Sequence, residues 1–233
     1  MNGLALGEYS GVDNLEIMAE AVNYTAFLLD LVAAQLRPGN IVVDFGAGTG
    51  ALAVPLSAAG HRVLCVEPDR HLRARLAATG LDAHPSLDPI ASRSLDFAYT
   101  VNVLEHIDDD RGALALLRGR LKPSGRLLVY VPAFPCLFSS MDRKVGHLRR
   151  YRRQKLAALL EDAGFCIERI EYQDCLGFFA SLLFKLVGPG NGTINRTALV
   201  AYDRWVFPLS RCLDRVAGHW LGKNLVAVAR RDA

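Results

Sequence analysis

The sequence predicts a doubly wound α/β fold, and three stretches carry that prediction. Residues 41–50 read Ile-Val-Val-Asp-Phe-Gly-Ala-Gly-Thr-Gly, a β-branched apolar run that ends in an acid and enters a glycine-rich turn. Such a run suits a central parallel strand covered on both faces. A second apolar run, Arg62–Val66, closes on Glu67-Pro68-Asp69, and the gap between the two runs holds one helix, about Thr49 to Ala59. From Ser94 the alternation resumes: an apolar strand, a helix from Arg111 to Leu121, the stop Lys122-Pro123-Ser124-Gly125, and another strand from Arg126 to Val131. Strands separated by single helices form parallel sheets through crossover connections.

Composition fits one domain with a sizeable core: 233 residues, 51% hydrophobic and 22% charged. A formal net charge of +3 is too small to demand a polyanionic partner. The five cysteines (65, 136, 166, 175 and 212) form no C-x-x-C pair, so they are expected as reduced, mostly buried thiols of a cytoplasmic protein. No signal peptide is expected, because no basic stretch precedes an apolar core at the N-terminus. No uncharged run reaches the roughly 18 residues of a membrane-spanning helix.

The glycine turn narrows the ligand. Gly46, Gly48 and Gly50 alternate and remove each Cβ that would hold a ligand off the backbone. A ligand is therefore expected at the C-terminal edge of the sheet, against a helix N-terminus. The pattern D-x-G-x-G-x-G is neither the dinucleotide fingerprint G-x-G-x-x-G nor a P-loop, which needs Gly-Lys-Ser/Thr. Asp44 would repel a pyrophosphate but can pair with a cationic or hydroxylated ligand. Glu67 ends the second strand, where an acid can accept from both hydroxyls of a ribose. Asp108-Asp109-Asp110 reads as a helix N-terminal signal, with carboxylates favourable to the helix dipole.

With these residues in view, the chain resembles the class I S-adenosylmethionine-dependent methyltransferases. The resemblance rests on the acidic strand end with its glycine turn, on Glu67, on Leu104-Glu105-His106 followed by the acidic run, and on Leu121-Lys122-Pro123-Ser124-Gly125 before an apolar strand. It covers about residues 40–173. It implies a Rossmann-like, mostly parallel seven-stranded sheet with an antiparallel last strand, S-adenosylmethionine as cofactor and S-adenosylhomocysteine as product. It also implies cofactor-binding roles for Asp44, Phe45, Gly46, Ala47, Gly48, Gly50, Glu67, Pro68, Asn102 and Val103. In the ubiquinone-biosynthetic members an acid three residues before the Glu-His pair helps build a metal site. Here that position is Asn102, a poorer ligand for a hard cation, so no metal is expected.

Methyl transfer is an in-line displacement that needs alignment, exclusion of water and often removal of one proton. The candidate bases are His106 and His147, both on the ligand side of the sheet; an imidazole ordinarily titrates near neutrality, which suits a phenol or enol acceptor. Two readings from other classes are a non-catalytic S-adenosylmethionine-binding scaffold and an NAD(P) oxidoreductase. Tyr151 and Lys155 have the Tyr-x-x-x-Lys spacing of the latter without a partner serine.

The flanking segments bear on the acceptor. Residues 1–38 form an N-terminal helical cap running from Asp13-Asn14 to Arg37-Pro38-Gly39, whose Tyr9 and Tyr24 line a lid or pack on the sheet. Seven Lys/Arg fall within residues 143–155, either a solvated basic turn or a rim that attracts an acidic substrate. They lack the interleaved aromatics of a nucleic-acid surface. Gly146-His147-Leu148-Arg149-Arg150-Tyr151 resembles a submotif of bacterial small-molecule and cell-surface methyltransferases, so His147, Arg150 and Tyr151 join Tyr24 as candidate substrate-binding residues. Beyond the 40–173 core, residues 177–222 form an apolar helical insertion, with a second piece from Thr197 to Leu221 bent at Pro208, and a last strand follows at 225–231. The insertion reads as a cover over the pocket, a homodimer surface or a peripheral membrane contact. A single domain is expected, acting on a small, partly apolar acceptor.

Overall fold

The computed structural model describes residues 17–232. Seven strands make one sheet in the order β3-β2-β1-β4-β5-β7-β6. The pairs linking β1 (Ile41–Phe45), β2 (Arg62–Val66), β3 (Asp82–His84), β4 (Leu95–Val101) and β5 (Leu121–Pro132) are all parallel. Strand β7 (Asn224–Arg231) lies antiparallel between β5 and β6 (Phe165–Gln173). The Rossmann-like sheet with a reversed last strand is as expected. The winding reverses beside β1, which pairs with both β2 and β4, so a crevice opens at their C-terminal ends.

Two apolar layers bury the sheet. Consecutive residues of β1 fall in opposite layers: Val42 packs with Phe97 and Tyr130, Val43 with Leu114 and Leu156. That alternation is what a strand covered on both faces requires. One layer is closed by α4 (Asp110–Arg120) and α6 (Arg153–Asp162), through Leu114, Leu117, Leu156 and Leu160. The other is closed by α1 (Val22–Ala33) and α2 (Ala53–Ala58), through Phe27, Val32 and Leu56, and by Leu76 of α3 (Arg70–Ala78). Asp109 caps α4, accepting from the Gly112 N–H, as its place in the acidic run predicts.

Several elements differ from the sequence reading. Helix α2 begins at Ala53 rather than Thr49. The residues between are spent on the turn, where the Gly46 and Ala47 N–H groups both donate to the Val66 carbonyl. Strand β3 was not foreseen, because Asp82-Ala83-His84 carries no apolar run. Tyr9, Asp13 and Asn14 lie outside the described residues. Within them the N-terminal helix is broken, and α1 starts afresh at Val22 because Asp203 of the insertion accepts from the N–H groups of Asn23 and Tyr24.

The insertion comprises α7 (Cys175–Val187), α8 (Arg196–Ala201), a wide turn at Tyr202–Val206 and α9 (Phe207–Ala217). Pro208 has no N–H and its ring would clash with the carbonyl four residues back, and the wide turn before it absorbs both. Asp174 caps α7 through the Gly177 N–H, and buried Asp214 of α9 accepts from the N–H groups of Asp174 and Cys175. The two long helices of the insertion are thereby fastened at one end.

Candidate active site

The crevice widens into a cavity of about 990 Å³, walled by the turn after β1, the ends of β2 and β4, the loop after β5, α1 and the insertion. This is at the upper end of the roughly 300–1,000 Å³ of small-molecule sites, enough for a cofactor beside an acceptor. Asp44, Gly46, Ala47, Gly48, Glu67, Pro68, Asn102 and Val103 all line it.

The glycines have separate reasons. Gly46 has φ +86° and is packed so closely on Val103 that no Cβ fits. Gly48 has φ +53°, and a Cβ there would meet no protein atom, leaving its backbone open to a ligand. Gly50 does not line the cavity; at φ +81° it packs against Leu76, so its role is to seat α3. The Phe45 side chain belongs to the core.

Two carboxylates face the crevice. Burial raises the Asp44 carboxyl to about 7, with the charge of Glu67 adding to the shift. Asp44 therefore holds its negative charge poorly by itself, and a cationic ligand beside it would restore that charge. Glu67 is raised too, chiefly by burial, against N–H donors from Asp69 and Gly48 at 2.9 and 2.8 Å. Glu67 thus ties the end of β2 to the glycine turn while its remaining acceptor sites stay available to hydroxyls. These features fit S-adenosylmethionine: a cationic ammonium and sulfonium for Asp44, ribose hydroxyls for Glu67, and bare backbone at Gly48 for close approach.

The opposite wall contains the two candidate bases. His106 ends the 3-10 turn Leu104–His106 after β4, and His147 follows α5 (Ser140–Lys144) after β5. The Leu148 N–H donates to the Glu105 carbonyl and brings the two loops together. The rings lie 4.7 Å apart, edge to face. Burial, then the charge of His147, lowers the His106 imidazole to about 4. His147 Nδ1 lies 2.8 Å from Asp142 Oδ1, a bond in which Nδ1–H donates to the carboxylate, so that in the neutral ring the lone pair falls on Nε2. Asp142 also receives Arg150 in a fork, Nε at 2.7 Å and Nη2 at 3.0 Å, and the Ser139 N–H at 2.8 Å. Burial alone would raise the Asp142 carboxyl, but His147 and Arg150 outweigh it and hold it far below the usual range.

Glu105 is fully buried, and neither carboxylate oxygen has a hydrogen-bond partner among the described residues. Burial, and secondarily the charge of Asp142, raises it to about 8. Its Oε1 lies 3.7 Å from His147 Nε2. Glu105, His106 and His147 present donor atoms within 4.8 Å of one another, a spacing that could hold a cation. Asn102, the position that weighs against a metal in the sequence, is not one of these donors; its amide lies 3.4 Å from the Tyr24 hydroxyl.

Two of the seven charges of the basic stretch are neutralised by carboxylates of the protein. Arg149 pairs with Asp110 at 2.8 Å and Arg150 with Asp142. Arg150 lines the cavity, but its guanidinium is committed to that pair and to the Ala133 carbonyl. Tyr151 lies outside the cavity lining, and its hydroxyl donates to Asp110 Oδ2 at 2.7 Å and the Leu104 carbonyl at 3.2 Å. That also removes it as an oxidoreductase tyrosine. Tyr24 does line the cavity, and burial raises its phenol to about 12.

Lys223 and Asn224 line the cavity and were missed. Because β7 is antiparallel, its first residues sit at the same sheet edge as the ends of β1 and β4, a signal readable once that reversal is expected. Burial lowers the Lys223 ammonium, against the charge of Asp174, which raises it. The insertion adds an apolar wall from Ala180, Phe184, Leu199 and Tyr202.

A doubly wound sheet with this acid, glycine turn and second acid at the switch point suits a nucleoside-containing cofactor. A family model described as a methyltransferase domain matches residues 17–170, and the chain belongs to that family, the S-adenosylmethionine-dependent methyltransferases. An uncharacterised 37.1 kDa protein in transposon TN4556 of Streptomyces fradiae is 31% identical over 191 residues, covering 70% of this chain. The chain spans only 53% of that relative's length. Among solved structures, an S-adenosylmethionine-dependent methyltransferase from Thermotoga maritima, described as a possible histamine N-methyltransferase, superposes with a TM-score of 0.63 at 20% identity, covering 95% of this chain and 96% of its own. The Haemonchus contortus phosphoethanolamine N-methyltransferase 2, solved with S-adenosylmethionine, gives 0.60 at 16% identity, covering 93% and 57%. Likeness at these identities establishes the shared fold. No described helix is long and apolar enough to cross a membrane.

Proposed function

We propose that this chain methylates a small, partly apolar molecule carrying an acidic group, with His147 as the general base. The observation that carries the reading is the cavity itself. One end is the Asp44–Gly48–Glu67 turn, and the other is walled by His147, Lys223 and the apolar side of the insertion. When bound, S-adenosylmethionine supplies an activated methyl carbon on a positive sulfur. Asp44 and Glu67 hold the charged and hydroxylated ends of the cofactor, and the backbone at Gly48 lets it approach closely. Asp142 fixes the His147 tautomer, so that Nε2 accepts the acceptor's proton, and Asp142 stabilises the imidazolium that results. Lys223 attracts the acidic group, while Phe184 and Leu199 exclude water and cover the apolar part. The protein frame then needs no further charge on the acceptor side.

The test is transfer of labelled methyl from S-adenosylmethionine to a panel of phenolic acids and hydroxylated fatty acids. In His147→Gln, kcat is expected to fall about 10²–10⁴-fold, the range of general-base catalysis, with cofactor affinity within about twofold of the parent. Lys223→Met should raise KM for acidic acceptors and spare their neutral esters. An unchanged kcat in His147→Gln removes the base assignment. A uniform KM for acids and esters removes the acidic acceptor.

A further inference from the structure

Ten of the fourteen large apolar side chains exposed among the described residues fall between Phe179 and Trp220, all within the insertion. Along α9 they form a stripe: Leu209, Leu213 and Val216 recur at intervals of four and three on one face, flanked by Trp205 in the wide turn before the helix and Trp220 in the turn just after it. The opposite face is buried: Phe207 packs on Tyr24 and Phe27 of α1, while Ser210 and Asp214 accept from backbone N–H groups at the start of α7. The helix is inside out: its polar groups cap α7 and its apolar row faces solvent. Helix α7 repeats the arrangement, with Phe179, Leu183 and Leu186 exposed while Ala180, Ser181 and Phe184 line the cavity.

Charge selects what covers this surface. The only acids between residues 175 and 222 are Asp203 and Asp214, and both are buried. The exposed ionic groups there are basic: Lys185, Arg196, Arg204 and Arg215. Of these, Arg196 is paired with Glu20, whereas the Arg204 guanidinium lies over the exposed Trp205 ring, 5.2 Å from its centroid. A second copy docked through a two-fold contact would set this patch against itself and bring like charges together. An anionic lipid surface offers the opposite charge, an apolar layer for the stripe, and a headgroup zone that favours tryptophan.

We infer that the outer face of α9 and α7 docks on an anionic membrane surface, with Trp205 and Trp220 at the headgroup level. The inference does not depend on the acceptor. It places the cavity one helix diameter, about 10 Å, from the docked face.

The chain has only two tryptophans, and both lie in this patch, each about 70% exposed. Intrinsic fluorescence therefore reports on the surface directly. The full chain should sediment with phosphatidylcholine vesicles containing anionic phosphatidylglycerol, with a blue shift of its emission, and bind pure phosphatidylcholine vesicles much more weakly. Arg204→Gln/Arg215→Gln should weaken anionic-vesicle binding about 25-fold, at roughly fivefold per surface charge. Leu213→Glu/Val216→Glu should abolish it, while S-adenosylmethionine binding by calorimetry stays at the parent value and shows the fold intact. Failure to sediment with anionic vesicles, or equal binding to neutral ones, overturns the inference. A blue shift that tracks protein concentration without lipid, with a dimer by light scattering, assigns the face to a second copy instead.

Discussion

Replacing Asp142 with asparagine separates the frame of the site from its chemistry. Asp142 is fully buried and accepts from four donor atoms of three residues, His147, Arg150 and Ser139, at 2.7–3.0 Å. Asparagine keeps the volume but removes the charge, leaving the Arg150 guanidinium buried without a counter-ion. Removing one partner of a buried ion pair costs about 3–5 kcal/mol. In a chain of this size 1 kcal/mol corresponds to roughly 2–4 °C, so Asp142→Asn should lower Tm by roughly 6–20 °C. His147→Gln removes one hydrogen bond to a charged group, about 1.5–3 kcal/mol, and leaves the Arg150–Asp142 pair in place. Its Tm should fall less than that of Asp142→Asn. Differential scanning calorimetry of both variants, each without cofactor, measures the contrast. If Asp142→Asn melts within 2 °C of the parent, or His147→Gln is the less stable of the two, the Asp142–Arg150 pair is not what holds this loop.

Three further outcomes follow from the titrating groups and the donor cluster. A cationic ligand takes Asp44 in its ionised form, and burial has raised that carboxyl to about 7; S-adenosylmethionine affinity should therefore climb from pH 6 to pH 8, and Asp44→Asn should flatten the profile. Asp44 and Glu105, at about 7 and 8, keep protons in the folded state that the unfolded chain has already lost, so cofactor-free Tm should fall as pH rises from 6.5 to 8.5, and Glu105→Gln should shallow the fall. With His147 as a base, methyl transfer should survive dialysis against EDTA and be inhibited by Zn²⁺ captured at Glu105, His106 and His147; activity lost to EDTA and restored by a divalent ion would refute that role.

The cofactor half of the site was legible because its signals are local. A buried strand, an acid and alternating glycines occupy ten consecutive residues from Ile41 to Gly50, and Glu67 follows one helix later at the same sheet edge. Even there, side-chain direction was not readable: alternation along β1 sends Phe45 into the core while Asp44 faces the crevice. The acceptor half depends on long-range pairing. His106 and His147 are forty-one positions apart in the numbering and meet because β4 and β5 are neighbours. Asp142 reads as an ordinary acid in a basic stretch, yet it captures Arg150 and orients His147. Tyr151 looked like part of the same motif, but its backbone bonds to Pro132 and Phe134 turn the ring away toward Asp110. Lys223 was within reach of the sequence, since an antiparallel last strand beginning just after it brings it to the ligand edge beside β5.

The central claim is that the crevice at Asp44, Gly48 and Glu67 binds S-adenosylmethionine, and calorimetric titration tests it most directly. Wild type should bind S-adenosylmethionine and S-adenosylhomocysteine and give no heat with NAD(P)H. Glu67→Ala should weaken cofactor binding about 10–100-fold, through lost charge-assisted hydrogen bonds of about 1.5–3 kcal/mol and a loosened Gly48 turn. An affinity for S-adenosylmethionine unchanged in Glu67→Ala would contradict the assignment.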